Sequence, residues 1–446
     1  MSRSSSEYDS ERESNPSVFD DEDISFYHQT EIGMLINEKY KVIEKLGSGR
    51  FSRVRKVLNT EDNKHYALKI YKSSKDYDDY YKNEIQVYTI LGDDVPSTIV
   101  KKYDNFEIED EHGSHGCLLF ELCGSNLIKL LDQSDDNKLP EPIVKYIVKQ
   151  VLEALKFIHS KNLIHTDIKP ENILLEKDFS QISDFYDMKV KLLDLGSSTV
   201  VDDLYTLSIG TTPYLAPEVV LRSKYNTSVD IWAVGCLIYE LMTGDCLFDP
   251  EAYFDSDDEN SDDDSDGDSD DDSDDESRIE ELDEDGNVRK SNESEGSTDF
   301  SEDNNCEDWE LIHLHLSLFH KTLGPLPPTL VEKGEYFEDF FTKDGKLRRI
   351  PNYIEKKNIQ NILIDDYEFS EVNAKKLAYV LEKLFIYLPD ERLTPTQVLD
   401  LDWFSGDLKT EYEKLLGIYQ REQKKRKKKQ KKEQAREQAK QQANNK

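Results

Sequence analysis

HTDIKPENILL, residues 165–175, sets a carboxylate at Asp167, an ammonium at Lys169 and an amide at Asn172 close together in the chain. That set supplies a proton acceptor, a counter-charge for phosphate and an oxygen ligand for a hard cation. Phosphoryl transfer asks for those parts, because its catalysis rests mainly on positioning and on neutralising charge at the transferred group. Asp-Ile-Lys-Pro alone could equally be an ordinary turn, so the reading depends on partners elsewhere in the chain.

Upstream, YKVIEKLGSGRFSRVRKV from Tyr40 reads as a strand, a glycine turn and a second strand, with Leu46, Gly47, Ser48, Gly49, Phe51 and Val54 around the turn. Glycines there let backbone N–H groups approach phosphate oxygens where a Cβ would clash. A plain hairpin turn would show the same Gly-x-Gly, and the third position of the phosphate-loop pattern is Ser52. The strand-like YALKIY, Tyr66 to Tyr71, offers Lys69 to the α and β phosphates, although a surface lysine on an edge strand would look alike. Glu84, the only glutamate between Lys69 and Glu107, lies in the helix-like stretch Lys75 to Leu91 and is its expected ion-pair partner.

Residues 99 to 131 alternate in a strand-like way, and Pro140 to Ser160 has the apolar spacing of a long amphipathic helix. Downstream of the opening motif, VKLLDLGSS places Asp194 at a strand end, where a carboxylate would chelate Mg²⁺ with Asn172 as companion oxygen ligand. The loop 197–218 closes with GTTPYLAPE, which would bring Thr211 beside Asp167 and Lys169. Glu218 there calls for a buried cation, for which Arg392 in PDERLTP is the candidate. Val229 to Met242 is apolar nearly all round, as a helix at the centre of a lobe must be.

Charge divides the chain. Residues 251–308 hold 28 Asp/Glu against 3 Lys/Arg and read as a solvated acidic insert, with serines such as Ser256 and Ser261 that resemble targets of an acid-directed kinase or belong to a mere spacer. Residues 1–24 read as a disordered acidic leader. The tail, residues 405–446, carries eight basic residues between Lys424 and Lys432, open to reading as an import signal, an RNA-binding patch or a strap for the insert. The acidic remainder opposes direct nucleic-acid binding outside that tail and suits basic partners. Five cysteines without metal-ligand spacing favour a reducing compartment. No apolar leader precedes Tyr27, and the longest apolar run, Ile231 to Met242, is too short to span a bilayer. A soluble monomer of cytoplasm and nucleus is therefore expected.

Taken together, residues 25–404 resemble a eukaryotic protein kinase, and within that superfamily the SR-protein kinases. The resemblance rests on YHQTEIGMLINEKYKVIEKLG, GRFSRV, HTDIKPEN with Thr166 in place of the usual arginine, DLG, YNTSVDIW, TGDCLFDP, GEYFEDFFTKDGKLRRI and DYEFSEVNAKKLAYVLEKLFIYLPDERLTP. It implies an α+β bilobal fold, a small β-rich lobe over about 25–122 and a larger helical lobe over about 123–404. It also implies Mg-ATP as cosubstrate, a protein serine/threonine phosphotransferase activity, and serines in Arg/Ser-rich proteins such as splicing factors as acceptors. On this resemblance Lys69, Glu84, Asp167, Lys169, Asn172 and Asp194 form the working site, backbone groups around Glu121 and Cys123 meet the adenine, and acids such as Glu171 and Asp245 face a cationic peptide. Thr166 removes one need for a loop phosphate, so activity without activating phosphorylation is expected. The chain departs from the family at Leu215, in the acid-free LIHLHLSLFHKTL and in the position of its insert, departures that bear on long-peptide docking more than on catalysis. A kinase with other substrates, or a scaffold without activity, are the competing readings.

Overall fold

A computed structural model of the chain describes residues 26–49, 51–73, 75–201, 209–253, 306–351, 353–417 and 421. The leader, nearly all of the acidic insert and the basic run at 424–432 lie outside them.

The N-terminal part is a six-stranded antiparallel sheet in the order β1-β2-β3-β4-β6-β5, built from β1 (Leu35–Ile36), β2 (Tyr40–Ser48), β3 (Ser52–Asn59), β4 (Lys64–Tyr71), β5 (Lys102–Asp110) and β6 (Gly113–Glu121). β4 is central, paired on both sides, and the register sets Gly47, Val54, Lys69 and Leu118 in one row across the sheet. Lys69 is therefore not an edge-strand lysine. One face buries a small core of Ile36, Tyr40, Val42, Val57, Leu68, Ile70, Cys117 and Leu119. The alternation of each strand sends Tyr71, Leu118 and Phe120 to the other face, against helix α1 (Lys75–Leu91) and into the main core.

The rest is helical. Helix α2 (Glu141–Ser160) buries the apolar stripe its spacing predicts, and α3 (Ser228–Thr243) is buried along its whole length. The short strands β7 (Leu163–Ile164), β8 (Ile173–Leu175), β9 (Val190–Leu192) and β10 (Thr199–Val200) pair as β7 with β10 and β8 with β9, which brackets residues 165–172 between two ribbons.

Three boundaries differ from the sequence reading. Leu127–Asp132 is helical rather than strand-like, started by Asn126, whose side chain accepts from the Lys129 N–H. Helix α4 (Cys306–Leu323) begins inside the stretch assigned to the insert, so Glu307 and Asp308 belong to the helix. Acids favour a helix N-terminus, and composition alone cannot separate them from an acidic coil. Residues 408–417 continue as a helix that packs on the large lobe: Lys409 Nζ meets Asp184 at 2.9 Å and the Tyr412 ring lies 5.4 Å from Phe185.

Candidate active site

Lys69 joins three elements. Its Nζ lies 2.9 Å from Glu84 Oε2 on α1 and 2.8 Å from Asp194 Oδ1 after β9. Glu84 is fully buried, and the Tyr71 hydroxyl, two residues along the same face of β4, also donates to Oε2. Burial pulls the lysine pKa down, but the Asp194 and Glu84 carboxylates outweigh it and hold the ammonium well above the ordinary lysine range. Burial likewise pushes Asp194 up, and the Lys69 ammonium with its hydrogen bond reverses the sign, leaving the carboxyl below its usual range. Asp194 has φ +64°, and a Cβ on Gly196 would stand 3.3 Å from both Asp194 Oδ1 and the Tyr71 hydroxyl, a tight fit around the pair.

The second half of the site is built on Asp230 of α3. This carboxylate, 1% exposed, accepts from the backbone N–H groups of His165 (2.9 Å) and Thr166 (2.8 Å) and lies 2.8 Å from His159 Nε2. It holds Thr166 at φ +74°, a strained setting for a β-branched residue, and so turns the chain that presents Asp167. The Asn172 amide donates to both the carbonyl and Oδ2 of Asp167 at 2.8 Å. Lys169 Nζ lies 3.0 Å from Asp167 Oδ2 and donates to Thr211 Oγ1 at 2.6 Å, while that hydroxyl donates to Asp167 Oδ1 at 2.7 Å. An alcohol is thus already seated between a carboxylate acceptor and an ammonium. The two halves meet through Leu193, whose N–H donates to the Asn172 carbonyl (2.8 Å) and whose carbonyl faces His165 Nε2 (3.1 Å).

Around this centre, Gly47, Ser48, Gly49 and Leu46 line the turn between β2 and β3, and Val54 lies between Gly47 and Lys69 in the row already described. The Phe51 ring stacks on Tyr80 of α1, centroids 4.4 Å apart. The Glu121 side chain turns back into the fold, accepting from Lys191 Nζ (3.0 Å) and the Lys101 N–H (2.7 Å), and its own N–H donates to the Lys101 carbonyl (3.0 Å), so neither is open to a ligand. The Cys123 backbone has no partner among the described residues, so its N–H and carbonyl are available to a ligand. Burial lifts the Cys123 thiol to about 12. Arg392 pairs with Glu218 through two bonds of 2.8 and 3.0 Å, both side chains fully buried, and its remaining donors meet the carbonyls of Ser228, Ile386 and Tyr387. Glu171 is exposed, and its charge together with that of Glu240 reaches the Tyr214 hydroxyl, which donates to Glu240. Asp245 accepts from the Tyr367 hydroxyl at 2.8 Å.

Tyr71, Asn83, Asp230 and Lys191 also belong to the site, although no motif in the sequence assigns them a role there. Asn83, next to Glu84 on α1, donates at 2.8 Å to the carbonyls of both Gly196 and Ser198. An amide beside the ion-pairing glutamate was the available signal. Among the described residues no group of three or more His, Cys, Asp or Glu side chains could cage a metal. Magnesium needs no cage: one or two protein oxygens plus phosphates suffice, and Asp194, 40% exposed and held ionised, with the Asn172 amide oxygen, fits that demand.

The sequence matches the protein kinase domain family over residues 40–404. It is 27% identical over 426 residues to the serine/threonine-protein kinase SRPK of Physarum polycephalum, covering 84% of this chain and 88% of that one. Against the SRSF protein kinase 3 of Mus musculus it is 23% identical over 554 residues, 85% and 88% of the two chains. Against the dual specificity protein kinase CLK2 of Homo sapiens it is 34% identical over 235 residues, half of this chain and 46% of that one. The chain belongs to the protein kinase domain family. It is a serine/threonine or dual-specificity kinase related to the SRPK and CLK kinases.

Proposed function

We propose that this kinase transfers the γ-phosphate of Mg-ATP to serines in arginine-rich protein segments. The observation that carries the transfer is the seating of the Thr211 hydroxyl between Asp167 and Lys169, which is the bonding an acceptor alcohol would need. Asp167 then orients the acceptor and takes its proton, Lys169 sets a positive charge beside the transferred group, and Lys69, held by Glu84, positions the α and β phosphates. Asn172 and Asp194 would hold magnesium, whose charge offsets that of the phosphates. Thr211 keeps Asp167 and Lys169 in mutual reach.

Preference for cationic segments is supported by the exposed acid Glu171, four residues after Asp167 in the chain, and by similarity to a kinase named for SRSF proteins. Electrostatic complementarity of this kind acts on selection and encounter rate more than on chemistry. A second reading, substrates outside the Arg/Ser-rich class, is favoured by Asp245, whose carboxylate is engaged by Tyr367. Turnover of an Arg/Ser-repeat peptide beside a proline-directed and an acidic peptide separates them. The Arg/Ser peptide should be preferred; equal turnover of the three would remove the substrate claim.

A further inference from the structure

The segment ahead of the sheet is tied to it at several points. The Phe26 carbonyl accepts from the Ser73 N–H at 3.0 Å, Thr30 Oγ1 accepts from Arg55 Nε at 2.7 Å, and the His28 ring stands edge-on to the buried His115 ring, centroids 5.3 Å apart. Among these anchors Tyr27 is 6% exposed, with the Arg53 guanidinium 4.1 Å and Lys72 Nζ 4.5 Å from its ring centroid. Both cations are on strands or strand ends that frame the glycine turn, and cation–π attraction fixes the ring against them. The Tyr27 hydroxyl then reaches across and donates to the Gly49 carbonyl at 2.7 Å.

We infer that Tyr27 is a positioning residue for the nucleotide: its hydroxyl fixes the Gly49 peptide plane and with it the approach of the glycine turn to the triphosphate. The Gly49 N–H already donates to the Ser52 carbonyl at 2.9 Å, and the Tyr27 bond holds the same residue through its carbonyl. A Cβ at Gly47 or Gly49 would meet nothing within 4 Å, so neither glycine is wedged by neighbouring atoms, and glycine has the largest conformational freedom to lose on ordering. The peptide group is planar, so a fixed carbonyl fixes the plane that follows it. Phe51, stacked on Tyr80, restrains the far side of the turn, and the Lys72 N–H donates to the Phe51 carbonyl at 3.0 Å. A turn ordered before ATP arrives spends less of the binding energy on its own immobilisation.

The inference rests on the ATP site proposed above. Tyr27→Phe in the full chain keeps the ring, its burial and both cations and removes only the hydroxyl. The KM for ATP should rise roughly 3- to 10-fold, the effect of one neutral hydrogen bond, with kcat, the peptide KM and the melting temperature unchanged. Tyr27→Ala should lower the melting temperature as well, showing what a structural loss looks like. An unchanged ATP KM in Tyr27→Phe would overturn the role of Tyr27, as would a joint fall of kcat and melting temperature in that variant. Direct titration of wild type with Mg-ATP keeps the two claims apart, since no binding there would overturn the ATP site itself.

Discussion

Thr166 Oγ1 donates to the Ser197 carbonyl at 3.0 Å, so the segment 165–175 grips the start of the loop 197–218, the activation segment, by a side chain that carries no charge. Where an arginine at this position would need an anionic partner, a hydroxyl needs only a backbone oxygen. Phosphatase treatment should therefore leave peptide phosphorylation unchanged, and Thr166→Val should lower kcat several-fold, as the loss of a hydrogen bond worth about 1 kcal/mol implies. Activity lost with the phosphatase would show that a loop phosphate does the holding instead.

Asn83 makes the same grip from α1, with two bonds to the Gly196 and Ser198 carbonyls. Asn83→Ala removes both while leaving Lys69 and Glu84 in place. A drop in kcat of roughly tenfold is expected, from bonds of about 0.5–1.5 kcal/mol each, with little change in thermal stability. Steady-state kinetics beside a thermal melt decides it; wild-type kcat in Asn83→Ala would mean the activation segment is held elsewhere.

The Glu218–Arg392 pair is a stability device rather than a catalytic one. Arg392→Met strands a fully buried carboxylate and should cost about 3–5 kcal/mol. Urea denaturation would read the loss as a lower midpoint, and a change under about 1 kcal/mol would indicate that water reaches Glu218.

His315 on α4 is 2% exposed, its Nε2 has no partner among the described residues, and burial lowers its pKa from 6.5 to about 3. The folded protein keeps it neutral while the unfolded chain protonates it below pH 6.5. Its contribution is therefore absent above that pH and destabilises progressively as pH falls from 6.5 toward 3. By pH 5 the loss is about 2 kcal/mol. His315→Phe should flatten the fall of stability between pH 7 and 5 by about that amount, measured by denaturation at each pH. Parallel curves for the two proteins would show that the ring is solvated in the native state.

Much of the site is legible in the sequence because its members carry the chemistry themselves. Asp167, Lys169 and Asn172 are close in the chain, while Lys69 is a charge inside a strand-like run, Glu84 the only glutamate between Lys69 and Glu107, and Asp194 a carboxylate at a strand end. The structure gathers them into two side-chain groups, Lys69 with Glu84 and Asp194, and Asp167 with Lys169 and Asn172, joined through the Leu193 backbone. The supporting residues work through the backbone of other segments: Asp230 holding His165 and Thr166, Asn83 holding Gly196 and Ser198, Tyr27 holding Gly49. A side chain bonding to a distant peptide group leaves no pattern in the sequence, since any residue supplies that peptide. The short helix at Leu127–Asp132 was hidden by apolar residues that also suit a strand, with only its Asn126 cap to mark it.

Asp167 is the residue on which phosphate transfer depends most directly. Phosphate transfer from Mg-ATP to an Arg/Ser-repeat peptide, measured beside Mg-ATP binding for wild type and Asp167→Asn, tests it in one comparison. The variant should bind Mg-ATP as wild type does and transfer at least about 100-fold more slowly, as expected for loss of a general base. Transfer by Asp167→Asn at the wild-type rate would contradict the account.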